Sequence, residues 1–365
     1  MKFENYILLE QIGKGAQGTV SLAKDKRLGR EVAIKSLNRT LINNSMQESR
    51  FVDEAKVLAK LNHPNIVTLY DYISDENGHH LVMELISGVP LDSLINNTTG
   101  PINELRAINI FLDVLDAISH IHDKGIFHRD IKPSNIMIDE FDRIKLLDFG
   151  IAKNNLNTEN LTRVGSSVGG TPMYMSPEHV SKEEIVSTSD IYSLGITLWH
   201  MLTGKEPYLN HSEAEIMACI LRDPLIEPKA IYPFISDRMN DIIQKATAKK
   251  IDERFSCCND FYNALIGLKE ELLSKQNKAG TIEQKRNSKD SIECKIEVRV
   301  KNVQNASIII NRLGFVGNEL TEYLLPGTKV NVSVVKEGYQ IYVKQFSVNE
   351  NKIININLKK TSFFF

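Results

Sequence analysis

The chain has 365 residues, 42% hydrophobic and 25% charged, enough to bury a sizeable core and to read as a globular, soluble protein of two domains or slightly more. A formal net charge of −2 gives no reason to expect nucleic acid or an anionic membrane surface as the main partner. The four cysteines, Cys219, Cys257, Cys258 and Cys294, show neither metal-ligand spacing nor a disulfide framework; no signal-peptide core or run of roughly 18 to 20 apolar residues is present, so a cytoplasmic location is expected.

Tyr6-Ile7-Leu8-Leu9 predicts a strand that meets Gly13-Lys14-Gly15-Ala16-Gln17-Gly18, after which Thr19-Val20-Ser21-Leu22-Ala23 alternates apolar and polar. Strand follows these glycines where a dinucleotide-binding fingerprint would open a helix. The pattern therefore points to a hairpin lid whose backbone approaches phosphates; an ordinary hairpin turn is the competing reading. Glu31-Val32-Ala33-Ile34-Lys35 is an apolar strand carrying one lysine. Phe51, Val52, Ala55, Leu58 and Ala59 then recur at helical spacing over residues 50–61, with Glu54 among them. His63-Pro64-Asn65 ends that helix, residues 66–70 and 81–83 read as two further strands, and residues 84–88 lead out of this small sheet. Residues 104–124 carry Ile108, Phe111, Leu112, Leu115, Ile118 and Ile121 at spacings of three and four, an amphipathic helix.

That helix delivers the chain to His128-Arg129-Asp130-Ile131-Lys132-Pro133-Ser134-Asn135, where a carboxylate, two fixed cations, an imidazole and an amide crowd between two apolar runs. Gly125-Ile126-Phe127 and Ile136-Met137-Ile138 read as buried β segments, and Pro133 disfavours helix at Lys132, so the polar residues occupy a loop held at both ends. Residues 136–147 read as strand, turn, strand. With Ile138 opposite Ile144, Asn135 falls opposite Leu147 and beside Asp148, bringing two hard oxygen donors of the kind magnesium prefers to one end of the hairpin. The competing reading makes both residues turn formers. Asp148-Phe149-Gly150 closes the strand.

The run 128–150 resembles the catalytic loop and magnesium-binding triplet of the eukaryotic-like, Hanks-type protein kinases. The resemblance implies an α+β, two-lobed fold: a small β-rich N-lobe over residues 1–84 and a larger helical C-lobe over residues 88–273. It implies that Asp130 accepts or orients the proton of a substrate hydroxyl and that Asn135 and Asp148 hold Mg2+. Lys132 would bring a cation near the γ-phosphate of ATP and marks the serine/threonine branch. Gly13, Gly15 and Gly18 would cover the phosphates, and Lys35 would reach the α- and β-phosphates if held by Glu54. Glu54 also reads as a solvated helix carboxylate beside Asp53. The backbone of Glu84 and Leu85 would meet adenine, with Ile12, Val20, Ala33 and Met137 as apolar walls and Met83 at the back.

Residues 151–175 are rich in Asn, Ser, Thr and Gly and by the resemblance would be the activation segment, with Thr162, Ser166 and Ser167 as phosphoacceptor candidates and Arg129 as the cation to order a phosphate; an unmodified loop is the competing reading. Gly170-Thr171-Pro172 and Ser176-Pro177-Glu178 resemble the family's peptide-positioning shelf, with serine in place of the usual alanine before Pro177. By that resemblance Thr171 bonds Lys132 and Asp130, Glu178 pairs with Arg254, and Asp190 braces the catalytic loop. Residues 274–291 turn polar and read as a solvated linker. From residue 292 to 360 the pattern has period two: Ile296-Val298-Val300, Val330-Val332-Val334 and Ile354-Ile356-Leu358 predict a small β-sandwich. Leu325-Pro326-Gly327-Thr328 with Lys336-Glu337-Gly338-Tyr339 resembles the bacterial PEGA module, which would recruit or sense a partner. Phe363-Phe364-Phe365 reads as a frayed tail or a docking peptide. The whole predicts a Mg-ATP-dependent serine/threonine protein kinase acting on protein hydroxyls. The rivals are a pseudokinase scaffold and a small-molecule kinase.

Overall fold

The computed structural model describes residues 3–15, 18–37, 45–76, 78–149, 172–208, 211–286, 294–302, 304, 306–310, 313–317, 319–324, 329–336 and 342–359. The first lobe is an antiparallel sheet of β1 (Tyr6–Lys14), β2 (Gly18–Asp25), β3 (Glu31–Leu37), β4 (Leu69–Asp75) and β5 (Gly78–Glu84), in the order β1-β2-β3-β5-β4. Strand alternation gives β3 two buried faces. Val32 and Ile34 join Tyr6, Ala23, Ile73 and Val82 on one side. Lys35 shares the opposite side with Ala33 and Leu37, where Leu37, Leu81 and Met83 pack with Phe51, Ala55 and Leu58 of helix α1 (Ser45–Leu58). The helical period of α1 thus turns Glu54 toward Lys35 on that sheet face.

Regular helix ends at Leu58, earlier than the residue 61 expected, and two tight turns follow: Lys60 N donates to the Val57 carbonyl and Leu61 N to that of Leu58. Strand pairing resumes only at Leu69, because the chain at residues 65–67 is engaged elsewhere. Val67 N donates to the Leu146 carbonyl at 3.0 Å, and Leu146 N to the Asn65 carbonyl at 2.8 Å.

In the second lobe β6 (Val89–Pro90) leads into α2 (Leu91–Leu94) and then α3 (Glu104–His122), which is capped by the Asn103 side chain accepting from Arg106 N. Strands β7 (Ile136–Ile138) and β8 (Ile144–Leu146) form the expected hairpin, with Ile138 opposite Ile144 and Ile136 opposite Leu146. The expected strand at Gly125-Ile126-Phe127 is absent. Ile126 N donates back to the Ile121 carbonyl, and the amides of His128 and Arg129 go to a carboxylate, so the segment has no ladder to join. Short α4 (Pro177–Ser181) precedes α5 (Ser187–Thr203), which is buried from Thr188 through Thr203 and forms the centre of the lobe. Around it lie α6 (Glu213–Arg222), α7 (Pro228–Ile231), α8 (Asp237–Ala246) and α9 (Cys258–Arg286).

Helix α9 runs on to Arg286, so residues 274–286 are helical where a linker was expected. Polar composition does not preclude a helix: Lys, Gln, Ala and Glu are good helix formers, and Lys275 bonds Glu271 one turn earlier at 2.5 Å. Beyond it, β9 (Cys294–Val300), β12 (Glu319–Leu324) and β15 (Lys352–Ile356) make one sheet, with β15 parallel to β9. A second sheet holds β10 (Ala306–Ile310), β11 (Leu313–Gly317), β13 (Lys329–Val335) and β14 (Tyr342–Ser347). The period-two residues Ile296, Val298, Val300, Val330, Val332, Val334, Ile354, Ile356 and Leu358 are buried together. Pro326-Gly327, Glu337-Gly338 and the three terminal phenylalanines lie outside the described residues. No helix among the described residues is long and apolar enough to cross a membrane.

Candidate active site

Lys35 Nζ lies 2.7 Å from Glu54 Oε1 and 2.7 Å from Asp148 Oδ1, so one ammonium joins the sheet, α1 and the end of the β7–β8 hairpin. Burial works against the charge on Lys35, but the two carboxylates outweigh it and hold its pKa above the ordinary lysine value. Asp53, the neighbour that competes with Glu54 in the sequence, instead pairs with Lys56 on the exposed side of the helix. Asp148 sits at φ 40°, a left-handed conformation uncommon for a residue with a Cβ.

The loop at 128–135 is fixed from inside the lobe. Asp190, fully buried on α5, accepts the backbone amides of His128 and Arg129, each at 2.8 Å, and His122 Nε2 at 2.8 Å. Burial would raise the pKa of Asp190, yet these donors pull it below the usual carboxylate range. The two amide bonds hold Arg129 at φ 64° and so set the direction in which the chain enters Asp130. The His128 imidazole is buried, which keeps its pKa low; its Nε2 donates to the Leu147 carbonyl, and its ring packs on Phe149 at 4.8 Å between centroids.

Asn135 closes the loop onto itself. Its Nδ2 donates to the Asp130 carbonyl at 2.8 Å and to Asp130 Oδ2 at 3.1 Å, while Lys132 Nζ stands 3.0 Å from the same Oδ2. Leu147 N donates to the Asn135 carbonyl at 2.9 Å, which makes Asn135 and Asp148 neighbours across the hairpin end as the register predicts. Lys35, Glu54, Asp130, Lys132, Asn135 and Asp148 therefore form one connected set. Thr171, Gly150 and Gly170 lie outside the described residues, as do Thr162, Ser166 and Ser167.

Gly13 is paired with Val20, and Val20 with Lys35, which sets the glycine-bearing hairpin against the lysine. Gly15 N donates to the Gly18 carbonyl at 2.8 Å, and a Cβ on Gly18 would run into the Ser36 carbonyl, so only glycine fits there. Ala33 lies opposite Met83, Met137 is half-buried in β7, and Ile12 is exposed on β1. Glu84 ends β5 and Leu85 follows without regular structure. The Glu84 side chain has a role that sequence reasoning missed: it binds Lys145 Nζ of β8 at 2.6 Å and accepts Thr68 N at 3.0 Å. Lys145 reads as an ordinary solvent-facing strand lysine, and nothing in its local sequence signals the tie. His122 was missed likewise, as a polar residue at the end of an amphipathic helix.

Farther out, Arg254 and Glu178 pair at 2.6 Å with both side chains almost completely buried. Burial would raise the Glu178 pKa, but the guanidinium holds it below the ordinary range.

The protein kinase domain family model matches residues 6–264. Serine/threonine-protein kinase PknB of Mycolicibacterium smegmatis is 37% identical over 271 residues, covering 73% of this chain and 43% of the relative. Serine/threonine-protein kinase PrkC of Bacillus subtilis is 38% identical over 255 residues, covering 70% of this chain and 39% of the relative. The chain thus aligns with less than half the length of these curated relatives. Among solved structures, the kinase domain of Mycobacterium tuberculosis PknI superposes with a TM-score of 0.58 at 23% identity, over 73% of this chain and 97% of that one, a likeness of fold. A match across residues 6–264, laid over a two-lobed fold that brings these side chains together, establishes that this chain belongs to the protein kinase family.

Proposed function

We propose that the chain is an active serine/threonine protein kinase that transfers the γ-phosphate of Mg-ATP to protein hydroxyls. The observation that carries this reading is the doubly paired lysine: Lys35 engages Glu54 and Asp148 together, each at 2.7 Å, and the bond from Leu147 N to the Asn135 carbonyl ties the Asp148 end of the hairpin to the loop that holds Asp130. The donor set fits a magnesium nucleotide. Asn135 spends its Nδ2 on Asp130, which leaves its Oδ1 as an acceptor for a cation beside the Asp148 carboxylate. Magnesium is commonly held by one or two side chains plus substrate phosphates, so a dedicated protein cage is not needed, and none occurs among the described residues. When bound there, the ion neutralises charge on the transferred group.

The remaining work falls to the chain itself. Asp130 orients the acceptor hydroxyl and takes its proton, Lys132 steadies charge at the γ-position, and Lys35 fixes the α- and β-phosphates under the Gly13, Gly15 and Gly18 hairpin. The backbone of Glu84 and Leu85 receives adenine between Ile12, Val20, Ala33 and Met137. Autophosphorylation at Thr162, Ser166 or Ser167 would give Arg129 an anion to bind, and Arg129 Nε is buried without a partner among the described residues. A pseudokinase scaffold is disfavoured because no ionisable group the chemistry needs has been replaced. A small-molecule kinase is disfavoured by the shelf that ends at Glu178, pinned by Arg254. We place the enzyme in the cytoplasm, in keeping with its free thiols at Cys219, Cys257 and Cys258, and read the strands after residue 293 as a PEGA-like module that engages a partner.

The test is to incubate the full chain with ATP labelled at the γ-phosphate and with either a protein mixture or a metabolite mixture. Label should appear on protein serine and threonine. Label confined to metabolites, or no transfer, would overturn the reading.

A further inference from the structure

Cys258 opens α9 and heads the stripe Cys258, Phe261, Leu265, Leu268 and Leu272, all buried at 3% exposure or less. Facing its sulfur is the imidazole of His122, the last residue of α3, with Sγ 3.6 Å from Nδ1. The other ring nitrogen, Nε2, lies 2.8 Å from Asp190 Oδ2. An ionised carboxylate only accepts, so Nε2 carries the proton in that bond. A neutral imidazole then has Nδ1 as its acceptor, and the thiol is the group that faces it. Burial pushes the Cys258 thiol well up, so it keeps the proton it would donate.

We propose that Cys258 is a positioning residue for phosphotransfer: its S–H, donated to His122 Nδ1, fixes the ring in the tautomer whose Nε2–H bonds Asp190, the residue that holds the loop carrying Asp130. The sequence of contacts is continuous, from Cys258 Sγ to His122, to Asp190, to the amides of His128 and Arg129. Arg129 keeps its φ of 64° only while that anchor is intact. Without the thiol donor Asp190 alone selects the tautomer, and the form with Nδ1–H, which turns a lone pair toward Asp190, gains population. The loop loosens, and the carboxylate of Asp130 spends less time aligned with an acceptor hydroxyl. The nucleotide and peptide contacts lie elsewhere, so the effect falls on kcat and not on KM.

This inference rests on the kinase reading, and the experiment separates the two. The full chain is compared with Cys258→Val, which fills a similar volume without a donor, and Cys258→Ser, which retains one. Two-bond proton–nitrogen correlation spectra report the His122 ring, and steady-state kinetics use ATP and a serine/threonine peptide. In the parent chain and Cys258→Ser, Nε2 should resonate as protonated nitrogen and Nδ1 as a hydrogen-bonded acceptor. In Cys258→Val the two signals should move toward an average, with kcat about five-fold lower, the size expected for one hydrogen bond, and both KM values within about two-fold of the parent. Cys258→Ser should recover kcat to within about two-fold. Unchanged ring signals in Cys258→Val, parental kcat in that variant, or equal losses in both variants would overturn the proposal. A parent chain that transfers no phosphate would remove the kinase reading, and the ring signals alone would then decide the role of Cys258.

Discussion

Two buried ion pairs among the described residues differ in how completely their hydrogen-bonding capacity is used. Arg254 has every guanidinium N–H engaged: Nε donates to the Ala248 carbonyl, one terminal nitrogen to Glu178 Oε2 and the Thr188 carbonyl, the other to Glu178 Oε1 and the Lys249 carbonyl. Glu178 also accepts from Ser189 Oγ at 3.2 Å. Lys35 is buried too, though less completely, and one of its two carboxylates belongs to Asp148, whose side chain is 51% exposed. The first pair is finished and dry, and its charges have nothing further to bind. The second ends at solvent, so an anion arriving at Lys35 with its counter-cation at Asp148 meets charges already paid for by the fold. A buried charge is scaffold when its shell is closed and a candidate binding group when its shell opens to water.

The sharpest way to break that contrast is on the open side. Asp130→Asn removes the proposed proton acceptor but keeps the shape that Asn135 and Lys132 hold, so kcat should fall by about 10² to 10⁴ while nucleotide affinity stays within a few-fold. Label transfer and calorimetric titration measure the two separately; undiminished transfer would remove Asp130 from its role. Lys35→Met should lower transfer by about 10² to 10³, the range for losing one preorganised charge contact, and here productive phosphate placement suffers along with affinity.

The closed side should respond in stability. Arg254→Met leaves Glu178 buried without its cation and should cost about 3 to 5 kcal/mol in urea denaturation, whereas the pair replaced together by Arg254→Met and Glu178→Leu should recover much of that loss. Lys35→Met should cost less than Arg254→Met, because Asp148 can turn to water and Glu54, whose pKa burial already raises, can take up a proton. Equal losses would erase the distinction between the two shells.

Most of the loop at 128–135 was legible in the sequence, because chemistry there is compressed into adjacent residues and the hairpin register follows from matching Ile138 with Ile144. Lys35 and Glu54 were legible from two periodicities, one of a strand and one of a helix, that aim both at the same face. The supporting contacts were not. Cys258 and His122 are separated by 136 positions, Glu84 and Lys145 by 61, and neither pair lies in a motif or breaks the pattern of its own element. Polarity misled at residues 274–286, where it says little about helix. Hydrophobicity misled at residues 125–127, where the amides of Gly125 and Ile126 turn back to the end of α3 and the next two, of His128 and Arg129, go to Asp190.

The smallest predicted effect concerns pH and the contact between the shelf and α5. Tyr174 OH donates to His200 Nδ1 at 2.8 Å, and His200 is 1% exposed, with burial lowering its pKa from 6.5 to about 4. Between those values the unfolded chain binds a proton that the folded chain refuses, so the unfolded state holds more protons and stability falls as pH drops from about 6.5 toward 4. The full loss is roughly 3 kcal/mol at most, from about 1.4 kcal/mol for each pH unit of separation. His200→Gln keeps an acceptor for Tyr174 and does not titrate, so in urea unfolding at a series of pH values the parent should lose its advantage over the variant as the solution is acidified. The other buried imidazoles are common to both proteins and cancel in that difference. If the two proteins lose stability in parallel across this window, the ring is either already protonated in the fold or reached by water, and the closed character of the helical lobe would stop short of the shelf.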